Sequence, residues 1–379
     1  MAIATFHPVL IHGRSAWDLG ELPRDEYEER RRLVRAVLSE HGLRACVVLG
    51  STPSYGNVAY LTGVRPGFMS SVMLVHVDHD TVLFAGLGGG RDLYHVRAVN
   101  FVDDVRYYPS PGEGIRAVLG EWGLAGGPIG IVGARGDVPF GTAVPVEKAL
   151  AGYEPVPLDD AFFALRRAKR PRERSLLERS AGLVARARDA AIAEFVATGT
   201  PYKAAIAAER AARVLGARDV RTLANLGSGP ELRPITGSSG PAADRLVLHV
   251  GLERAGYWAE TTVSFPRHGE GAGVAKAVAA MRSAIRPGAA LSAVAAEGLA
   301  CLGGAGAQAL ALEVGLGQGI GLGTEEQLAL TPSSSAVLEG GEVLSLRCVA
   351  VDGGGWAADA ALVEVAADGA RTVLPSWWS

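Results

Sequence analysis

The first half of this chain alternates short apolar runs with amphipathic stretches, and that alternation confines it to an α/β architecture. The runs ACVVLG (45–50), SVMLVHV (71–77), TVLFAG (81–86) and IGIVG (129–133) have strand length and are bounded by turn residues. A charged amphipathic segment from Asp25 to Glu40 reads as a helix, as do stretches near 115–122 and 144–150. Residues 1–22 read as irregular, and the first domain is expected to span 1–158. The second, 159–379, opens on the basic run RRAKRPRER (166–174), whose expected role is a solvated start to a long helix reaching about Val196, not an anion site. Pro201 suits the first turn of a second helix, running to about Leu215. Strands are expected over 246–250, 257–265, 343–349 and 360–365, with Ala-rich helices over 273–284 and 292–302.

Composition excludes several classes of function. A net charge of −3 gives no basic surface for nucleic acid or for an anionic membrane. No apolar stretch reaches the roughly 20 residues that span a bilayer. The first twenty residues lack the charged-then-apolar pattern of an export signal, so a cytoplasmic location is expected. Cys46, Cys301 and Cys348 have no metal-type spacing and are read as reduced thiols, Cys348 as a small buried apolar residue. The glycine run GLGQGIGLG (315–323) has no strand-then-helix context, so it is not read as a dinucleotide site.

Four motifs stand in a telling order. NVAYLTGV (57–64) precedes LRRAKRPRERSLLERS (165–180), with Arg166, Lys169 and Glu173 in an R-x-x-K-x-x-x-E pattern. LVLHVGLERAGYWAETTVS (246–264) follows, then VGLGQGIGLGTEEQ (314–327) and GGEVLSLRCV (340–349). Through these segments the second half resembles the creatinase, aminopeptidase P, prolidase and methionine aminopeptidase superfamily, and the first half resembles the N-terminal domain of its creatinase and prolidase branch. The resemblance implies a creatinase-like N-terminal α/β domain followed by a pita-bread α/β catalytic-type domain. It also implies a homodimer and a small-molecule substrate.

The family's metal ligands do not carry over. Its two aspartates match His249 and Glu260, around the shared Gly256-Tyr257 pair. Its histidine matches Gln318, and its two glutamates match Arg347 and Ala358, the latter before the retained Asp359. Arginine has no lone pair to give a cation, and alanine gives nothing. A carboxylate-bridged pair of dications needs several anionic oxygens, and Glu260 alone remains. The expectation is therefore a metal-free, cofactor-free pocket in which Glu260 and Arg347 neutralise one another. Creatinase is the family precedent for metal-free C–N chemistry, but the segment GSGPELRPIT (227–236) lacks the histidine that such chemistry uses there.

The candidate catalytic residues are His249, whose imidazole titrates near neutral pH, and Glu260. Candidate substrate-binding residues are Arg347, Glu325, Gln318, Arg65, Tyr257 and Asp359. Arg347 could clamp an anion with its planar fork. Arg65 is a second such clamp, with a solvated loop arginine as its plainer reading, and the resemblance places that domain near a neighbouring subunit's site. Glu325 is read toward the pocket and Glu326 as structural; Trp258 and Trp356 are apolar wall or core, and His268 is an exposed turn residue. Asp359 is read as holding nearby backbone or Arg347. The expected function is a metal-independent, creatinase-like enzyme acting on a small anionic nitrogen-containing molecule, by C–N hydrolysis, elimination, decarboxylation or cyclisation. A catalytically inactive binding module and a metallo-aminopeptidase with relocated ligands are the rivals.

Overall fold

A computed structural model describes residues 20–65, 70–84, 96–97, 100–134, 138–226, 232–235, 240–266, 272–352 and 355–378. The chain divides into two compact units, 1–166 and 167–379. His268 and most of the 227–236 segment lie outside the described residues.

The first unit is built on one mixed sheet. Its elements run α1 (Arg24–Glu40), β1 (Ala45–Ser51), α2 (Gly56–Thr62), β2 (Ser70–His76), β3 (Val82–Phe84), β4 (Asp104–Arg106), α3 (Pro111–Glu121), β5 (Gly127–Val132), α4 (Phe140–Ala149), β6 (Tyr153–Pro157) and α5 (Asp159–Arg167). The strand order is β4-β3-β2-β1-β5-β6. β1 is antiparallel to β2 and parallel to β5. Val47, Leu49, Val72 and Leu74 bury one sheet face against Ile115, Val118 and Leu119 of α3 and Val146 of α4. Each such aliphatic side chain contributes roughly 1.5–3 kcal/mol on leaving water. The motif NVAYLTG forms α2, which ends at Gly63 with a left-handed φ of 77°.

In the second unit two long helices, α6 (Pro171–Thr198) and α7 (Pro201–Val214), precede the strands β7 (Asp219–Ala224), β8 (Arg233–Pro234), β9 (Leu246–Arg254) and β10 (Tyr257–Phe265). These form a sheet in the order β10-β9-β7-β8. Helices α8 (Ala272–Ala284), α9 (Leu291–Ala300) and α10 (Gly304–Val314) then lead into β11 (Gly317–Gly319), β12 (Glu326–Ala329), β13 (Val343–Asp352), β14 (Gly355–Ala366) and β15 (Gly369–Leu374). The second sheet runs β12-β11-β13-β14-β15. The two sheets are joined where Ser264 on β10 hydrogen-bonds the backbone N–H of Ala358 on β14, at 3.0 Å.

The basic run 166–174 is not solvated as expected. Lys169 is buried and pairs with Glu326 at 2.6 Å. Arg167 pairs with Glu342, and Arg174 with Glu364 at 2.7 Å. Glu173 caps α6 by accepting the Arg170 N–H at 3.1 Å and also accepts Tyr257 Oη–H at 2.8 Å. The run enters α6 through specific carboxylates supplied from far along the chain, which local sequence does not reveal.

Candidate functional site

The site begins with a two-residue turn. Ala255 and Gly256 both have positive φ, 50° and 94°, the geometry that suits the right-handed twist of a tight hairpin. Tyr257 therefore pairs with Arg254, and the register runs unbroken to Phe265 against Leu246. In that register Glu260 lies opposite Gly251 and Thr262 opposite His249. Side chains alternate across a strand, so His249, Gly251, Glu260 and Thr262 share one face. A slip of one residue would turn all four to the other face.

The second sheet meets that face with Gln318, Ser345 and Arg347. Gln318 on β11 pairs across with Ser345 on β13. This needs β11 to lie very close to β13. Gly317 allows it: its φ is 137°, and a Cβ there would stand 2.1 Å from the Ser345 carbonyl oxygen. Arg347 is two residues beyond Ser345, hence on the same face.

These side chains converge on one oxygen. Glu260 Oε1 accepts from Ser345 Oγ at 2.7 Å, Arg347 Nη1 at 3.0 Å and Gln318 Nε2 at 3.1 Å. Arg347 Nη2 donates to Gln318 Oε1 at 2.6 Å and Nε to the Gly315 carbonyl at 3.2 Å. The Glu260 side chain is 6% exposed and that of Arg347 16%. A carboxylate so deeply buried is tolerated because a cation and two neutral donors satisfy it.

Glu260 Oε2 faces the other way, toward His249 Nε2 at 4.0 Å. His249 Nδ1 lies 2.9 Å from Thr262 Oγ1, which fixes the ring's orientation. Burial drives the His249 pKa below its ordinary value; the Glu260 charge opposes that shift and Arg347 reinforces it. Burial therefore favours the neutral imidazole. Its side chain remains 17% exposed. A gap of 4.0 Å is too wide for a direct hydrogen bond, but one bridging atom at about 2.8 Å from each can fill it.

The two-metal centre implied by the resemblance does not fit these residues. The guanidinium of Arg347 occupies the cluster and is bound to its single carboxylate. Ala358 is fully buried and packs with Val247 and Val349 in an apolar cluster. Among the described residues no group of three or more His, Cys, Asp or Glu is placed to hold a metal ion.

The remaining candidates lie elsewhere. Tyr257 is buried with its hydroxyl on Glu173. Asp359 is fully buried and holds the C-terminal segment, accepting from Ser376 Oγ and from the Trp377 N–H at 2.9 Å. Of the two readings for Asp359, backbone contact is the one seen. Burial pushes its carboxyl up to about 6, against hydrogen bonds that act to lower it. Glu325 is exposed, whereas Glu326 is structural, paired with Lys169. Arg65, in the first unit, is buried and not a solvated loop residue. Trp356 packs at the edge of the Ala358 cluster. Cys348 is buried, with its thiol pushed up to about 12 by desolvation. Sequence reasoning missed Ser345. Ser345 had a signal in its spacing, two residues before Arg347 on one strand face. Arg221 lies on β7, opposite Gly251 in register.

Comparison with solved structures identifies the architecture. The chain superposes on the prolidase of Pyrococcus horikoshii with a TM-score of 0.74 at 16% identity, covering 92% of this chain and 98% of that one. It has this prolidase fold. Dipeptidase PepE of Mycobacterium ulcerans aligns with a TM-score of 0.75 at 20% identity, over 93% of this chain and 96% of that one. The N-terminal domain of FACT complex subunit SPT16 from Cicer arietinum (chickpea) aligns with a TM-score of 0.69 at 14% identity, over 92% and 96%. The expected pita-bread α/β fold is thus present in full. No family model and no curated protein matches the sequence. Among the described residues no helix is long and apolar enough to cross a membrane.

Proposed function

We propose that this chain is a metal-independent, creatinase-like enzyme that moves protons with His249 and Glu260 on a small nitrogen-containing molecule bearing an anionic group. One observation carries the reading. His249 Nε2 and Glu260 Oε2 face each other at 4.0 Å, while His249 Nδ1 and Glu260 Oε1 are fixed by Thr262 and by Ser345, so both free ends can bond one small polar atom between them. Either group starts as a proton acceptor: neutral His249 takes a proton at Nε2, or the Glu260 carboxylate takes it at Oε2, and the same group gives it back. In C–N hydrolysis the water oxygen bonds to carbon, one of its protons passes to this pair, and the pair returns a proton to the departing nitrogen. Arg347 anchors Glu260, and its unused N–H bonds leave it a lesser part in binding the anion than the sequence suggested.

A second reading has a specific observation in its favour. Three side chains of the cluster already satisfy Glu260 Oε1, as in a structural ion pair, and the fold also occurs in a FACT complex subunit. On that reading the chain is a binding module without turnover. The proposal also takes the chain as a cytoplasmic homodimer, which light scattering of the purified protein checks. The deciding experiment incubates the purified protein with N-carbamoyl and N-amidino amino acids and Xaa-Pro dipeptides, reading products by mass spectrometry. Turnover that falls about 10²-fold or more in both Glu260→Gln and His249→Ala supports the enzyme. Turnover unchanged in both variants refutes these roles.

A further inference from the structure

Thr262 of β10 and His249 of β9 stand opposite each other in register, with Leu223 of β7 on the far side of the histidine. Thr262 Oγ1 lies 2.9 Å from His249 Nδ1, and the threonine is 3% exposed. A neutral imidazole carries one hydrogen, on either nitrogen, and a hydroxyl both gives and takes a hydrogen bond. Two arrangements therefore fit this contact. In one, Nδ1–H donates to Thr262 Oγ1 and Nε2 keeps a bare lone pair. In the other, the Thr262 hydroxyl donates to Nδ1 and the ring hydrogen sits on Nε2.

Two observations select the second arrangement. Among the described residues Thr262 Oγ1 has no hydrogen-bond partner besides Nδ1. If it accepted from Nδ1–H, its own hydrogen would be buried without an acceptor, which costs more than the bond returns. The other observation lies at the far end of the ring, where Nε2 faces Glu260 Oε2 at 4.0 Å. A lone pair there would point at a carboxylate, whereas an N–H turns its positive end toward the anion. Gly251 lies beside that end of the ring and adds no side chain over it; even a Cβ there would stand 3.5 Å from Nε2.

We infer that Thr262 is a positioning residue: its hydroxyl fixes His249 with the ring hydrogen on Nε2, which makes Glu260 Oε2 the proton acceptor of the pair and His249 a hydrogen-bond donor. The inference rests on the proposed function and narrows it. In C–N hydrolysis the water oxygen bonds to the reacting carbon, and the proton it loses passes to Glu260 Oε2. The oxygen already on that carbon gains the electron pair of its double bond and accepts from Nε2–H. When that pair returns, the C–N bond breaks, its electrons leave with nitrogen, and Oε2–H supplies the proton that nitrogen takes. A donor at Nε2 matches a carbonyl oxygen, as in an N-carbamoyl group. It opposes an N-amidino group, whose carbon bears only N–H donors.

NMR of the full-length protein labelled with ¹⁵N in histidine, above the midpoint at which His249 protonates, tests this. The expected spectrum has the proton on Nε2, with Nδ1 bare but hydrogen-bonded. Thr262→Val keeps the branched shape and removes the hydroxyl. It should move the Nδ1 resonance to that of an unbonded ring nitrogen, and Thr262→Ser should restore it. A proton on Nδ1 in the wild-type protein overturns the inference, as does an Nδ1 resonance indifferent to Thr262→Val. Kinetics with an N-carbamoyl amino acid give the second readout. In Thr262→Val kcat should fall about tenfold or more with KM within about threefold, and Thr262→Ser should recover most of the loss. Turnover of N-amidino in preference to N-carbamoyl amino acids contradicts the donor role. The expected spectrum with no turnover of any compound sustains the Thr262–His249 arrangement and sinks the catalytic reading instead.

Discussion

Replacing Arg347 by alanine should be among the most costly single changes in the second unit. The substitution removes three hydrogen bonds, to Glu260, Gln318 and the Gly315 carbonyl. It leaves a carboxylate that is 6% exposed with only Gln318 and Ser345 as donors. Breaking a buried ion pair from one side costs about 3–5 kcal/mol. The 16% exposure of Arg347 lets water reach its place, so the loss belongs near the lower end, about 3 kcal/mol. Urea unfolding followed by fluorescence gives the number. Glu260→Gln removes the charge and keeps an acceptor, so the double variant Glu260→Gln/Arg347→Ala should recover about 1–2 kcal/mol relative to additivity. If Arg347→Ala costs less than about 0.5 kcal/mol and the pair is additive, the internally neutralised cluster does not exist as described.

Other outcomes follow from the same geometry. His249 should titrate by NMR with a midpoint below 6.5, because burial disfavours the imidazolium; its share of stability is intact above that pH and is lost as pH falls from 6.5 through the folded midpoint, a dependence absent in His249→Asn. Asp359 acts with the opposite sign. Its folded value of about 6 exceeds 3.8, so its contribution is full below 3.8 and is lost as pH rises through about 6, a change of about 3 kcal/mol that Asp359→Asn should erase from the stability profile. Restoring a carboxylate by Ala358→Glu should destabilise by about 3 kcal/mol, since Val247 and Val349 offer it no donor; a neutral thermal shift would contradict the packing.

Much of this architecture was legible from local pattern. The strand Tyr257–Phe265 has the bounds expected of it, and α1, α6, α7, α8 and α9 lie where periodicity put them, within one or two residues. The mutual pairing of Glu260 and Arg347 was also readable, because opposite charges at two matched positions can each be buried only if they meet. Other parts were hidden by their shortness. β11 is three residues of a glycine run and becomes a strand only through close approach to β13. Helix α10 carries Gly304 and Gly306, which mask its periodicity. Long-range partners were hidden for a different reason. The basic run 166–174 finds Glu326, Glu342 and Glu364 more than 150 residues away, and no local signal separates such an arginine from a solvated one. Arg221 comes to lie opposite Gly251 only through the order of strands β10-β9-β7, which a sequence does not display.

Diffraction from crystals soaked in millimolar Mn²⁺, collected with anomalous signal, decides whether this cluster excludes a divalent ion. No anomalous peak is expected among His249, Glu260, Gln318, Arg347 and Ala358, with the Arg347 guanidinium on Glu260 near 3.0 Å. An ordered manganese ion between those side chains, with Arg347 swung away from Glu260, would contradict it.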